Sequence, residues 1–306
     1  EPVARRLAED ISFFTGEPVK VLPDEEQLFL HFEARNNDMA IERINAMKAL
    51  TENDDCIVIA PVAAAVKKAA PHSMFIEGKL AIRRGEEHFL SDVREKLVKL
   101  GYEQIGMVES PGEFSVRGGI LDVFTPDAQR PYRIEFFDTE VDSIRSFDPE
   151  TQRSMENLKF VEINPAQEMI LDKELFAEAA DKLHRAYTKQ AEKLEKNGNE
   201  YEEAAENLKR RRDELCEYIR ERSNVQLLEN YLHYFYENTD YLWDYMTGGR
   251  LFIEDPDRSC ELLDFKEKEM RADLELMLER GEIAPEDFEL IPAREDFIKS
   301  YKCEDV

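Results

Sequence analysis

Long apolar runs, clustered cysteines and positive charge are all scarce in this chain, and each scarcity excludes a class of function. No stretch approaches the ~20 consecutive apolar residues of a bilayer-spanning helix. The opening residues Glu1-Pro2-Val3-Ala4-Arg5 lack the apolar core of a secretion signal, and no membrane partner is expected. They also lack an initiator Met, which predicts a fragment or a processed product. The four cysteines (Cys56, Cys216, Cys260, Cys303) stand 160, 44 and 43 residues apart, with no CxxC pair, so neither a zinc site nor a disulfide framework is expected. With no Asn-x-Ser/Thr sequon either, a reducing cytoplasmic location is the reading. Lys and Arg number 41 against 68 Asp and Glu, a formal net charge of −27. A broad nucleic-acid face needs clustered cations, and this balance argues against one.

What is present is enough for sizeable cores: 42% hydrophobic and 10% aromatic residues over 306 positions. The acidity is spread along the chain. Residues 79–163 are the least negative part, with 12 basic against 17 acidic residues, and 251–306 the most, with 8 against 18. Helix and strand alternate at first. Val3, Leu7, Ile11 and Phe14 recur at helical spacing, Val19–Leu22 reads as a strand, and Ile41, Ile44, Met47 and Leu50 form a helical face capped by Asn37 or Asp38. Cys56–Ala60 reads as a strand buried on both faces, with a helix after Pro61. That order predicts a parallel α/β layer.

From residue 79 the pattern changes. A helix over 91–100 precedes turn residues at short intervals, with short runs between them at Phe114–Arg117, Ile120–Phe124, Tyr132–Phe137 and Val141–Phe147. These predict an antiparallel meander in a small α+β domain. A helical stripe then runs from Leu171 to Leu194, breaks at Asn197-Gly198-Asn199 and resumes from Tyr201 to Ile219, as an antiparallel helical hairpin would. The aromatic run at 231–245 has no interleaved basic residues and reads as core. After Gly249 the run Arg250–Ile253 reads as a strand ending in Glu254-Asp255-Pro256.

That acidic pair occupies the place where a nucleoside triphosphatase holds magnesium, but no GxxxxGK[ST] phosphate loop accompanies it. Glu254 and Asp255 therefore read as the acids of a degenerate nucleotide site, and no residue is assigned a catalytic or metal-binding role. The five histidines show no HxxxH or HExxH spacing. In the strand 132–137, alternation puts Tyr132, Ile134 and Phe136 on one face and Arg133, Glu135 and Phe137 on the other. A large ring beside an acid and a base, with Arg117 on a neighbouring strand, suits a protein-binding spot. The alternative is a cross-strand Arg–Glu pair with Phe137 tucked under a loop.

The residues Gly112–Phe124 (GEFSVRGGILDVF) and 131–154 (PYRIEFFDTEVDSIRSFDPETQRS) closely resemble the bacterial transcription-repair coupling factor family, Mfd, in its N-terminal module, which is similar to UvrB. The resemblance is dense over about 55–165 and looser on both sides. It implies a degenerate P-loop NTPase-like, UvrB-like α/β fold with an inserted small α+β domain and a helical-hairpin insertion. The expected parts are 1–78 as the first piece of the α/β domain, 79–163 as the UvrA-binding domain, and 164–306 as the second piece, with the insertion at about 172–222. By position, the family's UvrA-contacting residues fall on Arg117, Arg133, Glu135 and Phe137. The resemblance further implies that RNA polymerase and double-stranded DNA are bound by C-terminal parts of the full protein. ATP and magnesium would belong to its C-terminal motor, so no cofactor and no enzyme activity is expected in these residues. The alternative is a UvrB-type, ATP-dependent damage-binding component with a truncated phosphate loop. Three features count against it: no Tyr precedes Tyr102, where UvrB has a strand-separating hairpin; the phosphate loop is missing; and the acid order is Glu-Asp rather than Asp-Glu.

Overall fold

The computed structural model describes residues 2–24, 37–52, 56–170, 172–221, 225–291 and 294–302. Segment 25–36, part of the Tyr-free stretch before Tyr102, lies outside them, as do Leu171 and Cys303. In chain order the helices and strands begin α1 (Pro2–Thr15), β1 (Val19–Val21), α2 (Asn37–Thr51), β2 (Ile57–Ile59), α3 (Val62–Ala65), α4 (His72–Glu77), β3 (Leu80–Arg83) and α5 (Leu90–Lys99). There follow β4 (Glu103–Gln104), β5 (Glu113–Arg117), β6 (Ile120–Val123), β7 (Tyr132–Phe137), β8 (Glu140–Phe147), β9 (Ser154–Leu158) and β10 (Phe160–Ile163). The rest is helical: α6 (Lys173–Asn197), α7 (Glu202–Glu221), α8 (Val225–Leu228), α9 (Leu232–Phe235), α10 (Pro256–Glu279) and α11 (Arg294–Lys302). These elements form two compact units, one drawn from 1–34, 53–71 and 172–306, the other from 35–52 and 72–171. Helix α2, read from the sequence with the first α/β segment, falls in the second unit.

In the first unit β1 and β2 pair in parallel, Val19 opposite Ile57 and Val21 opposite Ile59. The expected burial of β2 on both faces is not found: Ile57 is exposed, and Val58 and Ile59 are half-buried. The helix read after Pro61 is cut to one turn. Ala69 pairs instead with Asp240 through two backbone hydrogen bonds (2.8 and 3.0 Å), which draws the chain out of helical geometry. Helix α1 forms where expected but turns the other way. Ala4 and Ala8 are its buried residues, whereas Val3, Leu7 and Phe14 are exposed. Small side chains let a helix axis approach its neighbour closely, and here they displace the larger ones from the contact.

The helical hairpin is found, though Tyr201, read as the start of its second stripe, is exposed in the 3-10 turn Asn199–Tyr201, and Leu175 is only half-buried. Ala179, Leu183, Tyr187, Ala191 and Leu194 of α6 are buried, as are Ala205, Leu208, Leu215 and Ile219 of α7. Asp172 caps α6 by accepting from the amides of Glu174 (2.9 Å) and Leu175 (3.4 Å), and Gly198 breaks the helix at φ 126°. The aromatic run packs inward, with Tyr231 and Tyr245 fully buried. Asp287, itself buried, accepts from Tyr187 Oη (2.8 Å) and from the Ala284 amide (2.9 Å), and faces His233 Nε2 at 3.2 Å. One carboxylate thus ties α6, α9 and the 3-10 turn Pro285–Leu290 together.

The second unit is built on a six-stranded sheet in the order β4-β5-β6-β7-β8-β9, antiparallel except for β4–β5. Its inner face buries Phe114, Leu121, Val123, Ile134, Val141 and Ile144 against Val93 and Leu97 of α5 and Leu100 at its C-cap. Helix α5 stops in a Schellman motif: the Gly101 amide (φ 85°) bonds Val98 O, and the Tyr102 amide bonds Leu97 O. Tyr102 is thereby turned into the core, where its hydroxyl donates to Asn164 O at 2.6 Å. A second, two-stranded sheet pairs β3 with β10 antiparallel.

Candidate functional site

The outer face of the six-stranded sheet collects polar residues because strand alternation sends their apolar neighbours inward. The ladder registers set Arg117 opposite Ile120, Asp122 opposite Arg133, Glu135 opposite Ser143, and Phe137 opposite Glu140. Directly opposed residues share a face, so Arg117, Asp122, Arg133, Glu135, Phe137, Ser143 and Arg145 lie on one surface. All four residues that the resemblance assigns to partner contact are therefore brought together. They are not equivalent.

Arg133 is the least accessible of the four, its side chain 16% exposed. It is not part of the cross-strand Arg–Glu pair of the alternative reading, which the structure does show, between Glu135 and Arg145 of β8. The Arg133 Nε and one terminal nitrogen grip the two oxygens of Asp122 at 2.7 and 2.9 Å, a bidentate pair. Gln152 adds its backbone carbonyl at 3.3 Å and its side-chain oxygen at 3.2 Å, and the guanidinium lies 4.5 Å from the Phe147 ring centre. The hydrogen bond that Arg133 donates to Asp122 is the first cause of its pKa lying above the ordinary value. Asp122, only 1% exposed, also takes a 2.7 Å bond from Arg117, whose side chain remains 52% exposed. A single buried carboxylate thus orients both arginines.

Glu135 is held by the Ser143 hydroxyl (2.8 Å) and by an ion pair with Arg145. Those contacts, the Ser143 hydrogen bond first, keep its carboxyl below the usual glutamate range. Phe137 has no such cover. It is 79% exposed, at the end of β7 before a turn whose Asp138 adopts φ 59°, and it is not tucked under a loop. The bulge between Glu135 and Phe136 in the β7–β8 pairing re-aims this end of the strand. Chemically the face offers one large exposed ring, one half-exposed guanidinium and a fixed set of charges.

Asp122, Ser143, Arg145 and Gln152 were missed in the sequence. A signal existed for Asp122, a carboxylate between the apolar Leu121 and Val123 on a strand next to Arg133. Gln152 gave none, since it arrives from a turn at φ 58°.

The second candidate, the acids Glu254 and Asp255 read as a degenerate nucleotide site, does not lie at a strand end. Residues 250–253 form no strand; Leu251 and Phe252 are exposed. Asp255 sits at φ 49° as the N-cap of α10, its carboxylate accepting from the Arg258 amide at 3.2 Å, and Glu254 is exposed. A carboxylate committed to capping beside a solvent-facing one does not fit a magnesium–nucleotide site. Among the described residues no cluster of three His, Cys, Asp or Glu side chains could hold a metal ion, and no helix is long and apolar enough to cross a membrane.

Comparison with known proteins agrees with the resemblance read from residues 112–154. The UvrB interaction domain family matches residues 80–169. The transcription-repair-coupling factor of Bacillus subtilis (strain 168) is 33% identical over 282 residues, covering 92% of this chain and 24% of that protein. Those of Staphylococcus aureus (strain MRSA252) and Staphylococcus haemolyticus (strain JCSC1435) are 32% and 30% identical over 254 residues, each covering 82% of this chain and 21% of theirs. The chain spans about a quarter of the length of the curated relatives it matches.

Proposed function

We propose, for a chain related to one segment of the transcription-repair-coupling factors and carrying a UvrB interaction domain at residues 80–169, that it is the UvrA-recruiting module of such a factor. The observation that carries this reading is the exposed Phe137 ring on the same sheet face as Arg117, Arg133 and Glu135. An isolated large ring in a frame of oriented charges suits an anchor that desolvates on docking while the charges set register and steer encounter. Arg117 meets the partner directly in this account. Arg133 acts chiefly by holding Asp122, and so Arg117, in place.

In this reading the docking domain (79–163) is inserted between the two pieces (1–78 and 164–306) of a degenerate, UvrB-like nucleotide-binding fold. The parallel β1–β2 pair and the capping role of Asp255 support that degeneracy. The full protein would link a stalled RNA polymerase to excision repair. Its polymerase contact, its ATP-driven motor and its duplex-DNA contact would lie in the parts this chain does not span. The test is a titration of the chain with purified UvrA, beside Phe137→Ala. The account expects weakening of about tenfold or more with the fold intact. Equal affinity in a folded Phe137→Ala chain would remove the site assignment.

A further inference from the structure

The row of residues that contains Phe137 does not stop at β8. Glu140, opposite Phe137, is itself opposite Glu87 in an antiparallel bridge to the segment before α5. Three further backbone hydrogen bonds fix that segment against the start of β8: Gly85 N to Val141 O (2.8 Å), Val141 N to Glu86 O (2.9 Å) and His88 N to Thr139 O (2.8 Å). Phe137, Glu140 and Glu87 therefore share one face, across two strand spacings of roughly 10 Å in all. Phe89 follows two residues after Glu87 with extended backbone (φ −73°, ψ 122°), so alternation sends it to the same side.

Phe89 is 66% exposed and stands at the N-cap of α5, where its side chain makes no capping hydrogen bond. Ser, Thr, Asp or Asn would serve that position better, so nothing local accounts for a phenylalanine. Between the two exposed rings, Glu87 and Glu140 are exposed and directly opposed. Like charges in that arrangement weaken a strand pair, and a cation placed between them would relieve the repulsion.

We propose that the docking surface runs from Phe137 through Glu140 and Glu87 to Phe89, and that UvrA meets it with a cationic side chain between two apolar contacts. The inference rests on the docking reading above. The same titration with UvrA, run at two salt concentrations, tests it with Phe89→Ser, the double variant Glu87→Gln/Glu140→Gln, and Phe137→Ala. Phe89→Ser is expected to weaken binding about tenfold without lowering the melting temperature, because serine is a favoured N-cap. The double variant is expected to weaken binding and to flatten its salt dependence. Wild-type affinity in Phe89→Ser and the double variant, with Phe137→Ala still impaired, would overturn this extension and leave the docking reading standing. Wild-type affinity in all three would overturn both.

Discussion

At the scale of single residues, the central one is Asp122, which no motif announced. Its carboxylate is buried and holds two arginines at 2.7 Å. Removing one partner of a buried pair leaves the other charge uncompensated, which costs more than the pair contributes. Asp122→Ala is therefore expected to destabilise the second unit by about 3 kcal/mol, read by denaturant melts. It is also expected to weaken UvrA binding beyond what unfolding accounts for, because Arg117 loses its fixed orientation. A second carboxylate makes a pH prediction. Burial opposes ionisation of Asp127, yet the hydrogen bond from Lys48 Nζ (2.8 Å) holds its pKa below the ordinary value. With the folded pKa depressed, this contribution is fully present above the unfolded value near pH 4 and is lost as pH falls through the folded one. Asp127→Asn should thus lower stability by about 1 kcal/mol at pH 7, and the difference should shrink in melts taken at progressively lower pH as the folded carboxyl protonates.

At the scale of elements, the β5–β8 strands were legible because period-2 alternation and the turn residues between them agree. Every polar residue of the outer face has an apolar neighbour on the inner one. The helical hairpin was legible for the same reason at period 3.6, with Asn197-Gly198-Asn199 as the break. Among the elements that were misread, two failures have a plain physical cause. Leu251-Phe252-Ile253 has the composition of a buried strand, but a strand needs a partner ladder, and a single run does not say whether one is there. In α1 the larger apolar residues were assigned to the core, whereas packing favoured Ala4 and Ala8, which permit a closer approach. Asp122 left a signal as a carboxylate between apolar neighbours, but its pairing with Arg133 did not, since that depends on register across β6–β7 rather than on order along the chain. That register carries its own test. A Cβ on Gly119 would lie 2.7 Å from the Phe136 carbonyl oxygen, in a strand pair where the Phe136 amide bonds Gly119 O at 2.7 Å. Gly119→Ala is expected to force β6 and β7 apart, costing about 2 kcal/mol and displacing Phe137. A lowered melting temperature together with weaker UvrA binding would register both effects.

At the scale of the whole molecule, a formal net charge of −27 disfavours encounter with bare nucleic acid, while the proposed docking face sets two arginines around buried Asp122. What we propose for this chain is recruitment of UvrA through the face that carries Phe137. Calorimetric titration of this chain with UvrA, beside Phe137→Ala, tests that claim most directly. The account predicts saturable binding by the native chain and a loss of about tenfold or more in the variant, at an unchanged melting temperature. No binding by the native chain, or equal affinity in the folded variant, would contradict it.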